Sequence, residues 1–489
     1  MAQKLRDFVM SRFALRLVTV ILFFFLMFPA LKSTMDGFVK LVLVWGGVQL
    51  IYDLLTKRTM FRARNVLWLI LFLVAQLVTV VLNAQTGLKN NLSLLCYSAV
   101  AMLVLYPNEK EKDSGRLQRE LWVIGWVFVL LCSAASVISI GTFLFDVSGV
   151  VYYENLVYYT GLVSGRLWGV FSNPNFPGVL LAMAIAIVQF PLVKKNTAGK
   201  RARRLQYAVL GLCLFFNYWY MALAQSRGSL LSLFLFLFIY ILIFFHSKLH
   251  RHIQSQAVSL PLSAGLSAVA VAAAALCIPL LVTGSEALYI VVHQAAEGEE
   301  IHVDIGLEQQ DGWLSGDAVI GRDEPSDNGD ILSGRRQLYV NGWKRFVDRP
   351  LFGQGNVGSV KGLFLSGKRV VPNFHNLIIH SLAAGGLAGT LFLLMFLILT
   401  AGAVVLEIWR KRGSSWEAQA VPAGLMALMA LFTANNMVEV YIVYSVSLPN
   451  FLFFIYLGYT VSILLRERPV SHTDRWLQRL TDRSGAAKE

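Results

Sequence analysis

Apolar residues fall into twelve long runs, at about 14–31, 36–55, 65–83, 90–106, 121–143, 175–193, 205–224, 229–246, 259–283, 376–406, 418–435 and 440–465. A hydrocarbon core about 30 Å thick needs about 20 apolar residues per helix, so each run predicts a membrane-spanning helix. The run 376–406 is longer than one crossing needs, which predicts tilt or projection beyond the bilayer. The first run is long and no small-residue cleavage site follows it, so it is expected to remain as a span rather than leave as a signal peptide. The segment 144–174 carries Tyr152, Tyr153, Tyr158 and Tyr159 beside a span, a pattern that predicts an interfacial helix in an aromatic belt.

Charge orients the spans. With a cytoplasmic N-terminus, the loops and tails on the inner side carry 28 Lys and Arg, whereas the short outer loops carry only Lys32, Lys89, Arg166 and Arg227. Positive residues collect on the cytoplasmic side, so both termini are expected there. The long segment 284–375 is then extracytoplasmic. Five regions follow: N-terminal helices 1–143, a central membrane region 144–283, the extracytoplasmic loop 284–375, C-terminal helices 376–465 and a basic cytoplasmic tail 466–489. The expected fold class is an all-α integral membrane protein with about twelve transmembrane helices and one long extracytoplasmic loop.

Composition agrees. Only 15% of the 489 residues are charged, against about 25% in soluble proteins. The net charge of +14 is met by the inner loops, so nucleic-acid binding is not needed to explain it. Cys96, Cys132, Cys213 and Cys277 each sit in an apolar run without a CxxC or Cys/His partner, which excludes disulfide and zinc frameworks. The long loop splits by sign. Residues 285–330 hold twelve acids and one base, while 334–369 hold eight bases and one acid. The apolar alternation of Ile301–Leu307 within the acidic half is strand-like.

Few motifs carry chemistry. Gly353-Gln354-Gly355-Asn356-Val357-Gly358 matches G-x-G-x-x-G, but no βαβ unit surrounds it and it follows Pro350 in an outer loop, so a tight turn is expected rather than a dinucleotide site. His375 and His380 lie about 140° apart round a helix and do not share a metal-binding face. What remains is a polar set at outer helix ends: Arg166 before Asn173-Pro174-Asn175, Arg227 in a short break between two apolar runs, Arg335 opening the basic half of the loop, and His375 where the tenth run begins. Each could cap a helix or meet headgroups. Together, guanidinium groups can hold a lipid diphosphate bidentately at any pH. They could stabilise it as a leaving group, while a histidine deprotonates an incoming sugar hydroxyl. No metal and no cofactor is expected for such a site.

This ordered set resembles the O-antigen ligase / O-antigen polymerase superfamily of bacterial membrane glycosyltransferases. The resemblance rests on Ser333-Gly334-Arg335, Tyr339, Trp343, Pro350-Leu351-Phe352-Gly353-Gln354-Gly355, His375-Asn376 and Gly385-Gly386-Leu387, with Arg166…Gly169…Asn173-Pro174-Asn175 and Ser226-Arg227-Gly228 upstream. It covers roughly residues 160–405. It implies a fold similar to the GT-C-like enzymes that use lipid-linked sugars. It implies transfer of a glycan from an undecaprenyl-diphosphate carrier to an acceptor glycan or glycolipid at the outer face of the bacterial cytoplasmic membrane, with inversion and without metal. By resemblance His375, Arg335 and Arg227 are catalytic, and Arg166, Arg336 and Asn376 bind substrate. Arg335 is preferred to Arg336 because its spacing to Pro350 and Gly353 fits the family pattern. The stretch 285–330 is longer than the family connection.

Three rivals stay open. Ligase and polymerase share these motifs. A flippase of lipid-linked oligosaccharides would bind near the midplane with repeats or broken helices. A peptidoglycan-type polymerase would need a carboxylate. Glu439, beside Asn435-Asn436, is the one candidate for it and reads more simply as a cap or a solvated side chain.

Overall fold

The computed structural model describes residues 3, 8–108, 112–153, 156–190, 199–253, 255–297, 335–365, 369–370, 373–412, 414–466, 468, 474–476 and 478. Every apolar run contains a helix. They are α1 (Arg12–Phe25), α2 (Lys32–Leu55), α3 (Val66–Leu82), α4 (Leu88–Val100), α5 (Ser114–Leu144), α6 (Asn175–Ile187), α7 (Lys200–Ala224), α8 (Arg227–Leu249) and α9 (Gln256–Glu297). After the long loop come α10 (Arg335–Asp348), α11 (Asn356–Val360), α12 (Leu377–Arg410), α13 (Trp416–Asn436) and α14 (Leu448–Leu464). Eight of these, among the described residues, are long and apolar enough to cross a membrane, while α3, α6 and α14 are shorter apolar helices. The chain is an all-α polytopic membrane protein.

Local chemistry starts several helices. The Ser11 hydroxyl accepts the Ala14 amide at the start of α1, and Asp113 accepts that of Arg116 at the start of α5, so each satisfies a donor the helix itself cannot. The centre of the bundle is α6 and α14. Every residue from Pro177 to Ile187 is buried, as is every residue from Leu448 to Thr460. α9 lies outside, with almost all of its apolar stretch uncovered by protein, as a lipid-facing helix should be.

Three expectations are corrected. The segment 144–174 is a three-stranded antiparallel sheet and not an interfacial helix: β1 (Gly149–Tyr153), β2 (Leu156–Val163) and β3 (Arg166–Gly169), in the order β1-β2-β3. The reason is Ser164-Gly165, with φ of 49° and 65°, between paired Val163 and Arg166. Positive φ at both central residues makes the tight turn that matches strand twist. The β-branched and aromatic residues on either side suit strands. Tyr153 and Tyr158 serve as an anchor, since the Lys32 ammonium lies over both rings and bonds the Tyr158 hydroxyl.

The last run, 440–465, is helical only from Leu448. Residues 437–447 are irregular, yet Glu439–Tyr444 are buried, with Val440, Ile442 and Val443 at 1% exposure or less. Buried irregular backbone needs its polar groups satisfied. Asn436 Oδ1 accepts the amides of Tyr441 and Ile442, and Asn450 Nδ2 donates to the Ile442 carbonyl. Finally, α9 continues to Glu297, so the boundary at 283/284 falls inside one helix, and the basic half of the loop contains α10 and α11. A short ladder pairs β4 (Phe364–Leu365) with β5 (Arg369–Val370). Ile301–Leu307 and most of the acidic stretch lie outside the described residues.

The turn at 350–355 is clasped to a break in α12. Gly386 has φ 65° and ψ −167°, interrupting the helix. The groups the break releases are met by the turn. Gln354 and Gly355 donate to the carbonyls of Ala383 and Ala384 at 3.0 and 2.9 Å, while Leu387 and Ala388 donate to those of Pro350 and Leu351 at 2.7 and 3.0 Å. Two backbones this close leave no room for side chains. A Cβ on Gly353 would sit 2.5 Å from the Ala384 carbonyl oxygen, and one on Gly386 would sit 2.5 Å from that of Leu351.

Gly386→Ala is therefore expected to destabilise the protein by at least about 2 kcal/mol, through positive φ and collision. Gly402→Ala, later in the same helix with nothing within 4 Å of its Cβ position, should be neutral or slightly stabilising. Thermal unfolding of both in one detergent checks the pair.

Candidate functional site

At the end of the bundle where the clasp lies, four separate stretches of chain meet on one carboxylate. Glu439 stands in the irregular segment after α13 and is 7% exposed. Its Oε2 is 2.7 Å from His375 Nδ1. Its Oε1 is 3.4 Å from a terminal guanidinium nitrogen of Arg335 and 3.5 Å from Asn175 Nδ2. With an ionised carboxylate, Nδ1 must carry the imidazole hydrogen, which leaves Nε2 as the acceptor nitrogen. A histidine so arranged can take a proton from a hydroxyl.

The backbone aims His375. Its φ is 51°, the left-handed region that costs a non-glycine residue free energy. Two side chains hold it there. Asn373 Oδ1 accepts the His375 amide at 2.7 Å. Asn376 caps α12, its oxygen accepting the amides of Ile378 and Ile379 and its nitrogen donating to the Met437 carbonyl at 3.1 Å. That last bond ties the start of α12 to the segment carrying Glu439. His380 is turned away from the site. It is fully buried, bonds Asn356 at 2.7 Å and packs on Tyr444.

The arginines divide. Arg335 opens α10 and its side chain is 26% exposed beside Glu439. Arg336 is one residue on, about 100° round the helix, and exposed. Arg227 is the first residue of α8 and is exposed. Its neighbour Gly228 packs on Val438, 2.7 Å from its Cβ position, which brings Arg227 to the edge of the Glu439 segment. Arg166 is engaged inside the protein. Its Nε donates to the Ala224 carbonyl at 3.1 Å and one terminal nitrogen reaches Asn175 Oδ1 at 3.0 Å and the Gln225 carbonyl at 3.3 Å. It thus satisfies carbonyls at the C-terminus of α7, where a positive charge is favoured, and positions Asn175 toward Glu439. Tyr339, one turn beyond Arg335, has its hydroxyl pKa raised by burial. Arg335 opposes that shift and Glu439 adds to it, so it remains a neutral donor.

Residues 208–394 match the family model described as O-antigen ligase. This supports a membrane glycosyl-transferring role in O-antigen assembly. No curated protein matches the chain significantly. The matched stretch includes Arg227, Arg335, Arg336, His375 and Asn376. Arg166, Asn175 and Glu439 come from outside it. From its sequence context Glu439 reads as a cap or a solvated group. The only signal for it was an acid among the amides of Asn435 and Asn436, at the end of an apolar run.

Arg335→Ala is expected to abolish function, because it removes the cation at Glu439, whereas Arg336→Ala should be mild. Restoration of surface glycan in a deletion strain checks both, and equal loss would reverse the choice between them.

Proposed function

We propose that the protein is a bacterial inner-membrane glycosyltransferase of O-antigen ligase or polymerase type. It moves a glycan from an undecaprenyl-diphosphate carrier to a hydroxyl of an acceptor glycan or glycolipid, at the outer face of the cytoplasmic membrane. Both termini are cytoplasmic in this reading. The observation that carries it is the convergence of His375, Glu439 and Arg335 at one end of the bundle, with Arg227 at its edge and the stretch that matches the O-antigen ligase model including three of the four. The orientation is favoured by the 28-to-4 imbalance of Lys and Arg between loops at the two ends.

The chemistry follows from the side chains. Glu439 holds His375 in the tautomer whose Nε2 accepts the acceptor's hydroxyl proton. The oxygen attacks the anomeric carbon as the bond to the carrier's diphosphate breaks, and that electron pair leaves with the diphosphate. One displacement inverts the anomeric centre. Arg335 and Arg227 offset the charge developing on the leaving group, a task they can perform without a metal. Arg335 lies 3.4 Å from Glu439. An arriving diphosphate competes for it and frees Glu439 to serve His375 alone.

Two results test the reading. In a deletion strain, wild type should restore ligated or lengthened surface glycan, while His375→Ala leaves undecaprenyl-linked units accumulating at the outer face. Full rescue by His375→Ala would overturn the assignment, and accumulation confined to the cytoplasmic face would point to a flippase. Glu439→Gln should fold normally yet lower transfer at least about tenfold, since a carboxylate that fixes the tautomer of a general-base histidine is worth up to about 10⁴ in rate. Chain-length distribution on a gel then separates polymerase from ligase.

A further inference from the structure

A cavity of about 370 Å³ lies at the opposite end of the bundle, between the segment before α3, the turn after α4 and the end of α14. α3 separates it from the clasp. The helix begins beside the cavity at Val66, and Asn83, just past its far end, bonds the Gly353 carbonyl at 3.3 Å. Seventeen residues make that separation about 25 Å. The cavity belongs to a different site.

Its lining is one-signed. Arg62, Arg64, Lys112, Arg466 and Arg468 face it, and among the described residues no carboxylate does. The described acids behind the wall are engaged, among them the fully buried Asp474, whose Oδ1 accepts the Asn65 amide at 3.0 Å beside Arg64. Glu120 pairs with Lys112 at 2.9 Å and accepts the Tyr459 hydroxyl at 3.0 Å. Glu407 pairs with Arg468 at 2.6 Å and Lys411 at 3.2 Å. A further cation sits under the floor. Arg16 is fully buried, and its guanidinium bonds neutral oxygens: the carbonyls of Leu105 and Pro107 and the side chain of Asn108. Pro107 and Asn108 themselves line the cavity. One terminal nitrogen of Arg468 is buried without a hydrogen-bond partner.

We propose that this cavity binds a phosphate anion, carried by a phospholipid headgroup or free. Five cations converging on one cavity make a positive potential that draws an anion. A phosphate supplies several acceptor oxygens that guanidinium groups meet with matching geometry. Basic pockets between helix ends are where anionic headgroups bind. The volume, equal to about a dozen waters at ~30 Å³ each, admits such a group. The sequence reading gave Arg466 only a topological role in the basic tail. Here it walls a site.

The full chain, purified in detergent, would be titrated with phosphatidylglycerol, phosphatidylcholine and inorganic phosphate. Bound species are read by intact-complex mass spectrometry and stability by melting temperature. Saturable binding of phosphatidylglycerol with a raised melting temperature, absent with phosphatidylcholine, is the expected result. Arg466→Glu, at an exposed wall position, and Ala63→Phe, which fills the cavity, should each weaken that binding at least tenfold. Inorganic phosphate that displaces the lipid, or binds in its place, also supports the site and assigns free phosphate as a source. Equal binding of both lipids with no effect of inorganic phosphate overturns the proposal, as does unchanged binding in the variants. Should Arg466→Glu not fold, Ala63→Phe alone decides.

Discussion

The clasp between the turn at 350–355 and the broken helix α12 is the constraint on which the candidate site rests. A helix interrupted inside an apolar bundle exposes amides and carbonyls that lipid cannot satisfy. Four backbone hydrogen bonds from the turn meet that demand, and they do so only because glycines let two main chains touch. The turn is also fixed from the other side, where Thr79 donates to the Phe352 carbonyl at 2.6 Å and Asn83 to that of Gly353. The two ends of the clasp then dictate positions elsewhere. α10 runs into it through Arg349 and carries Arg335 at its start, while α12 emerges with His375 just before its first residue. A glycine-rich string that imitates a nucleotide motif is thus the joint that sets the distance between an arginine and a histidine forty residues apart.

Around that joint, charge is arranged economically. A single carboxylate, Glu439, faces a histidine, an arginine and an amide. Arg166 is spent on helix ends and holds the amide. Two arginines, Arg227 and Arg335, retain exposure at the rim. In the proposed reaction this division has a physical logic. The orienting groups are engaged inside the protein, Glu439 buried and Arg166 and Asn175 half-buried, and groups that must receive a multiply charged ligand stay partly in solvent, where desolvating them costs less before the ligand arrives.

The helices were legible in the sequence because a bilayer imposes one length and one polarity on them. The order of the arginine, turn and histidine motifs was legible too, since each sits at a break in that pattern. Other features depended on contacts between distant stretches. Glu439 reaches a histidine 64 positions away and an arginine 104 positions away, and the run that begins just after it reads as continuous helix because Val440–Val443 are as apolar as any span. The sheet at 149–169 was masked by its tyrosines, which outweighed the Ser164-Gly165 turn signal. The cap made by Asn376 and the carbonyls taken by Arg166 needed the helix ends themselves, whose unsatisfied groups no composition reveals.

The left-handed backbone at His375 has an energetic consequence. Folding holds that residue in a conformation costing on the order of 1–3 kcal/mol, with Asn373 and Asn376 gripping either side. A ring on a relaxed loop would sample many directions, and each encounter would have to narrow them. Here the narrowing happens once, during folding, and the stability of the bundle bears it. In the proposed reaction the orientational entropy of the base is therefore absent from the barrier of every turnover.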